Sequence, residues 1–445
     1  MTNRELAIAV IRRLRSAGHQ ALLAGGCVRD RLLGHRPKDY DVATAARPEE
    51  VRKLFRKTLA IGEVFGVVVV LEGPARVEVA TFRSDEAYAD GRHPTGVRFT
   101  TAEEDARRRD FTINALFYDP LGRRTIDYVG GLRDLQRGLV RAVGDPAARF
   151  REDHLRMLRA VRFAARLSFR INPATRRAIG QLAPLVTRTS GERIRDEFSM
   201  ILTDPSRVAA VRLADSLGLL KEILPEVTAM KGCRQGRRAH PEGDAWRHTL
   251  LCLENLRRPT FICALATLLH DIGKPPTADY SGGEIHFYRH AQVGAEMAGQ
   301  VARRLRLSAA ERDEIQWVIH HHLDFMHART MRPATLKRLF QSPHFATLAE
   351  VHRADLLGSS MSDADYRYVM RQLRKMSAEE IRPAPLVTGH DILKLGLPGG
   401  PAIGRILRQL YDEQLDRRLT DRKAAMVRAR ELAAGEIRQA GADRD

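Results

Sequence analysis

The stretch Gln20–Asp41, QALLAGGCVRDRLLGHRPKDYD, decides how the first part of this chain folds. Gln20–Ala24 is a short apolar run that predicts a strand, and it runs into Gly25-Gly26. Val28–Leu33 then has a helical pattern, and Tyr40–Ala43 predicts a second strand. Paired glycines between a strand and a helix let backbone N–H groups approach a phosphate, and a helix N-terminus adds a favourable dipole. At the far end, Asp39-Tyr40-Asp41 sets two carboxylates two residues apart. On a strand, residues i and i+2 point to the same face, so both carboxylates converge. Alone, the pair reads more readily as two solvated aspartates at a strand end, and its context beside the paired glycines changes that.

Outward from this stretch, the pattern is α/β as far as about residue 140. Arg4–Ala17 and Pro48–Phe55 predict helices. Val67–Glu72 and Arg76–Phe82 are β-branched runs separated by Gly73-Pro74, which predicts a hairpin. Glu78, on the second of these runs, is a candidate third acidic group. From about Pro146 onward the apolar spacing is helical, as in Leu155, Leu158, Val161 and Phe163.

Such a carboxylate pair suits phosphoryl chemistry with two divalent ions, which activate an attacking hydroxyl and stabilise the leaving group. Magnesium prefers oxygen ligands, so Asp39 and Asp41 are the residue type it needs. Gly25, Gly26 and Arg29 would lie at the triphosphate. Arg107–Ala115, RRRDFTINA, supplies further cations, with Arg109 suited to a triphosphate and Asn114 to a ribose hydroxyl. Asp127-Tyr128-Val129-Gly130-Gly131 reads as a structural hinge. In Glu152–Arg156, EDHLR, the spacing predicts that Asp153 and Arg156 share one face of a helix. An aspartate accepts from an exocyclic amino group and an arginine donates to the neighbouring ring atom, so this pair would choose cytosine and adenine over uracil and guanine. By itself the pair also fits a surface salt bridge. Arg159 and Arg162 continue the stripe toward RNA or the triphosphate.

The chain has 445 residues, too long for one compact core, so roughly two to four domains are expected. Its formal charge of +19 favours a polyanionic partner, nucleic acid above all. No apolar run reaches spanning length, which excludes a membrane helix, and the charged start Met1–Arg15 lacks a signal peptide's apolar core; a cytoplasmic protein is expected. Cys27, Cys233, Cys252 and Cys263 form no C-x-x-C pair, which argues against disulfides or a zinc ribbon and for buried free thiols.

Taken in order, GGCVRD, DYD, RRDFTINA, DYVGGLRDL, EDHLRMLRAVRF and SGERIRDEF resemble the class II tRNA nucleotidyltransferase and bacterial poly(A) polymerase family, continuously from Leu22 to Leu202. The resemblance implies an α+β protein: a β-polymerase-like nucleotidyltransferase head, then all-helical neck, body, HD and tail regions. The expected divisions are 1–140 for the head, 141–205 for the base-reading neck, 206–237 for the body, 238–385 for an HD region and 386–445 for a helical tail that contacts tRNA. It also implies two magnesium ions on Asp39 and Asp41, with Arg109, Asn114, Glu152, Asp153 and Arg156 at the nucleotide; Gly25, Gly26, Arg29, Asp110, Arg159 and Arg162 are expected there from their own chemistry and place in the motifs. Glu152 would orient Arg156. The implied partners are tRNA, CTP and ATP. Members add CCA, CC, A or poly(A). The polar segment Arg83–Thr101 has the full length associated with adenine addition, which favours complete CCA addition.

A second, histidine-rich region runs from about Arg238 to Gly358. His270-Asp271, in LLHDIGK, has His248 upstream and His290, His320, His321 and Asp355 downstream. Imidazoles with carboxylates suit a divalent transition metal that activates water. The set resembles the HD phosphohydrolase superfamily. That resemblance implies a metal held by His248, His270, Asp271 and Asp355. A second metal or a substrate phosphate would lie at His290, His320 and His321, with Lys274 on phosphate. The implied activity is hydrolysis of cyclic or terminal phosphates on RNA ends. His240 and His322 are expected at the surface.

Overall fold

A computed structural model describes residues 1–59, 66–85, 96–236, 240–241, 243–281 and 285–442. The chain divides into two compact units, Met1–Thr228 with Arg304–Leu307, and Ala229–Arg303 with Ser308–Asp445.

In the first unit the predicted strands assemble into one sheet. Its order is Thr58–Leu59, Val67–Glu72, Ala75–Thr81, Asp41–Thr44, Ala21–Ala24, Leu116–Asp119 and Arg124–Asp127. The Asp41 strand therefore lies mid-sheet. It pairs antiparallel with Ala21–Ala24, putting Ala24 opposite Asp41, and parallel with Ala75–Thr81, putting Glu78 opposite Asp41. Along Ala75–Thr81 the pleat turns Val77 and Val79 inward and Arg76 and Glu78 outward. The helix Asn3–Ser16 starts on a Thr2–Glu5 capping box and buries Val10, Ile11 and Leu14. Leu22, Ala24, Ala43, Phe82, Phe117 and Val143 share a core that fixes the two central strands beneath the carboxylates. The strands Arg83–Asp85 and Val97–Phe99 pair antiparallel at the base of the Arg83–Thr101 segment; its residues 86–95 lie outside the described residues.

Where a single helix was expected through Glu152–Arg156, the chain breaks. One helix, Pro146–Glu152, ends with Asp153 in an extended conformation (φ −147°, ψ 106°), and the next is Arg156–Leu167. Asp153 and Arg156 thus do not share a helical face. Asp153 Oδ1 instead accepts from the N–H of Leu155 at 3.1 Å, a local bond that competes with helix continuation.

The second unit is helical apart from the short pairing of Ala278–Asp279 with His286–Phe287 among the described residues. The helices that carry or immediately precede the clustered histidines and Asp355 are Ala245–Glu254, Phe261–Leu269, His290–Arg304, Ala309–His321 and Phe345–Gly358. A separate core of Val387, Ile392, Ile406, Leu410, Ala425 and Ala429 holds the C-terminal helices Pro401–Leu415 and Arg422–Ala442. No helix among the described residues is long and apolar enough to cross a membrane.

Candidate functional site

Asp41 opens its strand, Asp39 stands two residues before it, and Glu78 is its register partner on the next strand. All three are exposed. Although water reaches Asp41, its carboxyl is pushed up to about 6. The protein crowded around it disfavours the charge, and Glu78 and Asp39 add repulsion that Arg109 only partly offsets. Three carboxylates gathered at one strand end supply the oxygen ligands that a hard divalent cation takes. Of the two glycines beside it, Gly25 is the one the backbone requires. It has φ +73°, and a Cβ there would stand 3.0 Å from Arg109 Nη1. At Gly26 a Cβ would meet only an ordinary contact with Arg29. The helix that follows, Gly26–Leu32, is a short one.

Behind the carboxylates runs a relay of charged groups. Arg29 is 3% exposed, and it donates to Asn114 Oδ1 at 2.6 Å and to Asp30 Oδ1 at 2.6 and 2.8 Å. Asn114 Nδ2 donates to Asp110 Oδ1 at 3.1 Å, and Asp110 Oδ2 accepts from Arg159 at 2.9 Å. Burial opposes the charge on Asp110, but Arg159 and Asn114 override it and hold the carboxyl below its ordinary value. Arg109 donates twice to Asp105 and once to the carbonyl of Asn114. The guanidinium groups of Arg29, Arg159 and Arg162 pack over the Phe163 ring at 5.1, 5.3 and 4.4 Å, and Arg162 is paired with Glu197. The relay ties the head to the helix Arg156–Leu167. At the start of that helix Arg156 donates to Glu152 at 2.6 Å, and Asp153 receives both nitrogens of Arg193 at 3.0 and 2.8 Å.

In the second unit, buried histidines and carboxylates meet at one point. His248, Cys252, His270 and Asp355 offer ligand atoms that all lie within 4.8 Å of one another, and so do Asp271, His290 and His322. Asp271 reaches both groups: Oδ2 is 3.3 Å from His270 Nε2, and Oδ1 is 3.8 Å from His290 Nε2 and 3.9 Å from His322 Nε2. The Nδ1 atoms of His270, His290 and His322 lie 2.6–2.8 Å from the carbonyls of Thr267, Phe287 and Ile319. Each ring thus carries its proton outward and turns an Nε2 lone pair inward, the arrangement of a metal-ligating histidine. Burial and the neighbouring His270 push His322 down to about 3, and burial lowers His290. His270 Nε2, His290 Nε2 and Asp271 Oδ1 are buried without a hydrogen-bond partner. Each such atom costs about 1–3 kcal/mol. Spread over the two groups, these atoms fit bound divalent cations, and nitrogen with carboxylate suits the transition series.

Three segments match known families: residues 21–141 the poly A polymerase head domain, 168–231 the probable RNA and SrmB-binding site of polymerase A, and 246–368 the HD domain. Poly(A) polymerase I of Salmonella typhi is 42% identical over 235 residues, which cover 50% of each chain. Several relatives are matched over only half to three-fifths of their own length in this way. The CCA-adding enzyme of Lactobacillus johnsonii is 32% identical over 422 residues, covering 95% of this chain and 95% of that one. The chain belongs to the family of CCA-adding enzymes and bacterial poly(A) polymerases. The crystal structure of the Bacillus stearothermophilus CCA-adding enzyme in complex with CTP superposes with a TM-score of 0.73 at 27% identity, over 99% of this chain and 100% of that one.

Within this family fold, the residues expected at the nucleotide divide into two sets. Asp39, Asp41, Gly25 and Arg109 gather at the end of the central strands, with Glu78 beside them. Arg29, Asp110, Asn114, Arg159 and Arg162 are tied to one another or to Phe163 and Glu197, so they brace the site. The partners Asp105, Arg193 and Glu197 were not singled out from the sequence, although Arg193 and Glu197 sit in the quoted SGERIRDEF string. Asp127 accepts from the N–H groups of Val129, Gly130, Gly131 and Leu132, as a structural hinge requires.

In the HD domain, His248, His270, Asp271, Asp355 and His290 come together as expected, but His320 and His321 do not. His320 is exposed, while His321 pairs with Asp324 at 2.6 Å and stacks on Trp317. His322, expected at the surface, is instead 2% exposed and groups with Asp271 and His290. Helical periodicity gives the reason. Ile315, Val318 and Ile319 form the buried stripe, and position 322 continues it at i+7, i+4 and i+3. His240 is half-buried, its ring 4.8 Å from that of His248. Lys274 is bound to Asp271 and Gln235 at 2.6 and 2.5 Å, so it steadies the carboxylate.

Proposed function

We propose that this protein adds CCA to the 3′ end of tRNA, using CTP and ATP and releasing pyrophosphate. The observation that carries the proposal is the meeting of Asp39, Asp41 and Glu78 at the end of the central strands, with Arg109 alongside. These carboxylates would hold two magnesium ions. When bound, the ions supply activation of the 3′ hydroxyl and stabilisation of the departing pyrophosphate. Arg109, held by Asp105 and by the Asn114 carbonyl, keeps a cation beside Asp41 for the triphosphate. The Arg29–Asn114–Asp110–Arg159 relay fixes that geometry against the neck helix. Asp153 accepts the exocyclic amino group of cytosine or adenine and Arg156, oriented by Glu152, donates to the adjacent ring atom. In this reading Asp153 exchanges contacts with Arg193 for contacts with the base. Complete CCA addition is favoured over poly(A) synthesis because the relative matched end to end is a CCA-adding enzyme. The C-terminal helices and the charge of +19 supply tRNA contacts.

The test is extension of tRNA lacking its 3′ end, with CTP and ATP supplied separately and together. Three added residues are expected. Long A tails would identify a poly(A) polymerase, and a stop after CC a partial enzyme.

The orphaned atoms His270 Nε2, His290 Nε2 and Asp271 Oδ1 favour a second activity, metal-dependent hydrolysis of cyclic or terminal phosphates on RNA ends. When bound, a divalent transition ion there supplies a water nucleophile at neutral pH. Lys274 and the backbone carbonyls hold the ligands in place. His270→Ala is expected to abolish this hydrolysis while leaving nucleotide incorporation intact.

A further inference from the structure

We propose that Cys252 is a metal ligand in the HD cluster. It completes a set of two histidines, one carboxylate and one thiolate that selects a borderline ion of the zinc and cobalt kind. This rests on the metal-binding reading of that cluster. The likeness to HD phosphohydrolases implies His248, His270, Asp271 and Asp355 as ligands and assigns nothing to a sulfur.

The placement follows from the helices. Cys252 is four residues after His248 on Ala245–Glu254, so both point from one face. Cys252 is fully buried, and its Sγ lies 3.3 Å from His248 Nε2. On one tetrahedral ion with ordinary zinc–sulfur and zinc–nitrogen lengths, two such atoms stand about 3.6 Å apart. The observed spacing thus needs only a few tenths of an ångström of adjustment. Gly358 sets the approach: a Cβ there would lie 2.8 Å from Cys252 Sγ, and its carbonyl is 3.3 Å from His248 Nδ1. The same glycine therefore admits the sulfur and orients the imidazole. The independent sign of an ion is His270 Nε2, on a residue 1% exposed, which faces the same point without a hydrogen-bond partner.

Thiolate is the soft ligand that shifts preference from magnesium or manganese toward zinc, cobalt and copper. As the sulfur–metal bond forms, the S–H proton passes to water. The ion is then held by charge from both Asp355 and Cys252, while Asp271 lies between the groups, with Oδ2 toward His270 and Oδ1 toward His290 and His322.

The experiment uses the full chain, stripped with a chelator and titrated with cobalt. Visible d–d bands that disappear in His270→Ala report the ion in this cluster. A near-ultraviolet sulfur-to-cobalt charge-transfer band reports the thiolate. The wild-type chain is expected to show both, and Cys252→Ser and Cys252→Ala to keep the d–d bands and lose the charge-transfer band. Cys263→Ser should keep both. In a zinc competition titration, Cys252→Ser should weaken binding by more than about tenfold, the lower end of what loss of an outer-shell partner costs. Circular dichroism checks that each variant folds. A charge-transfer band that survives in Cys252→Ser, or d–d bands without any charge transfer in wild type, overturns the role of Cys252 and leaves the metal site standing. Absence of His270-dependent d–d bands in wild type overturns the metal site itself.

Discussion

The two candidate centres of this chain hold their ligands in opposite ways. In the head, Asp39, Asp41 and Glu78 are exposed, and the protein crowded around Asp41, with repulsion from Glu78 and Asp39, raises its carboxyl to about 6. In the HD domain the candidate ligands are buried, Asp355 only partly so, and each of three histidines is fixed through its outer nitrogen. An open carboxylate set binds magnesium weakly and leaves room for waters and substrate phosphates, as suits an ion that arrives with a nucleotide. A closed imidazole and carboxylate set is preorganised for a resident ion. The head places its rigidity elsewhere, in the arginine relay around Phe163.

The comparison breaks most sharply if the two centres prove interdependent. Asp41→Asn is expected to lower nucleotide incorporation by at least about a thousandfold, beyond the usual worth of one transition-state donor. The same variant should leave HD phosphohydrolase activity unchanged; parallel loss of both in paired assays would refute separate centres. Asp153→Ala should reduce discrimination against UTP and GTP by at least about a hundredfold, because a site built to hydrogen-bond a polar edge rejects mismatched analogues by about ten-thousandfold or more. Misincorporation kinetics measure it, and unchanged selectivity would remove Asp153 from base reading. Within the HD domain, His322→Ala should weaken metal binding by roughly 10- to 100-fold, while His321→Ala stays within about twofold of wild type. Equal losses in a metal titration would contradict the placement of His322.

The smallest effect expected is a slope. Asp110 titrates below its ordinary 3.8 because Arg159 and Asn114 outweigh the cost of burial. A depressed folded-state pKa contributes stability that is present above the unfolded value and is lost as the pH falls through the folded one. Denaturant unfolding of wild type should therefore lose stability as the pH drops below 4, with a shallower slope in Asp110→Asn. Identical slopes would show that the relay contributes nothing to the head's acid stability.

The sequence alone determined the strand–glycine–helix start, the Asp39–Asp41 pair and the order of motifs, because these are local patterns of period two or of backbone freedom. It also contained the position of His322, since Ile315, Val318 and Ile319 already mark the buried face that His322 continues. Only the tertiary structure decided that Glu78 is the register neighbour of Asp41, since strand pairing joins residues 37 positions apart. Only it showed that Asp153 pairs with Arg193 and Arg162 with Glu197, and that Gly358 lies against Cys252 and His248. A side chain's local pattern tells which way it faces. What it meets there depends on elements brought together by packing, and a buried charge or ligand is defined by that partner.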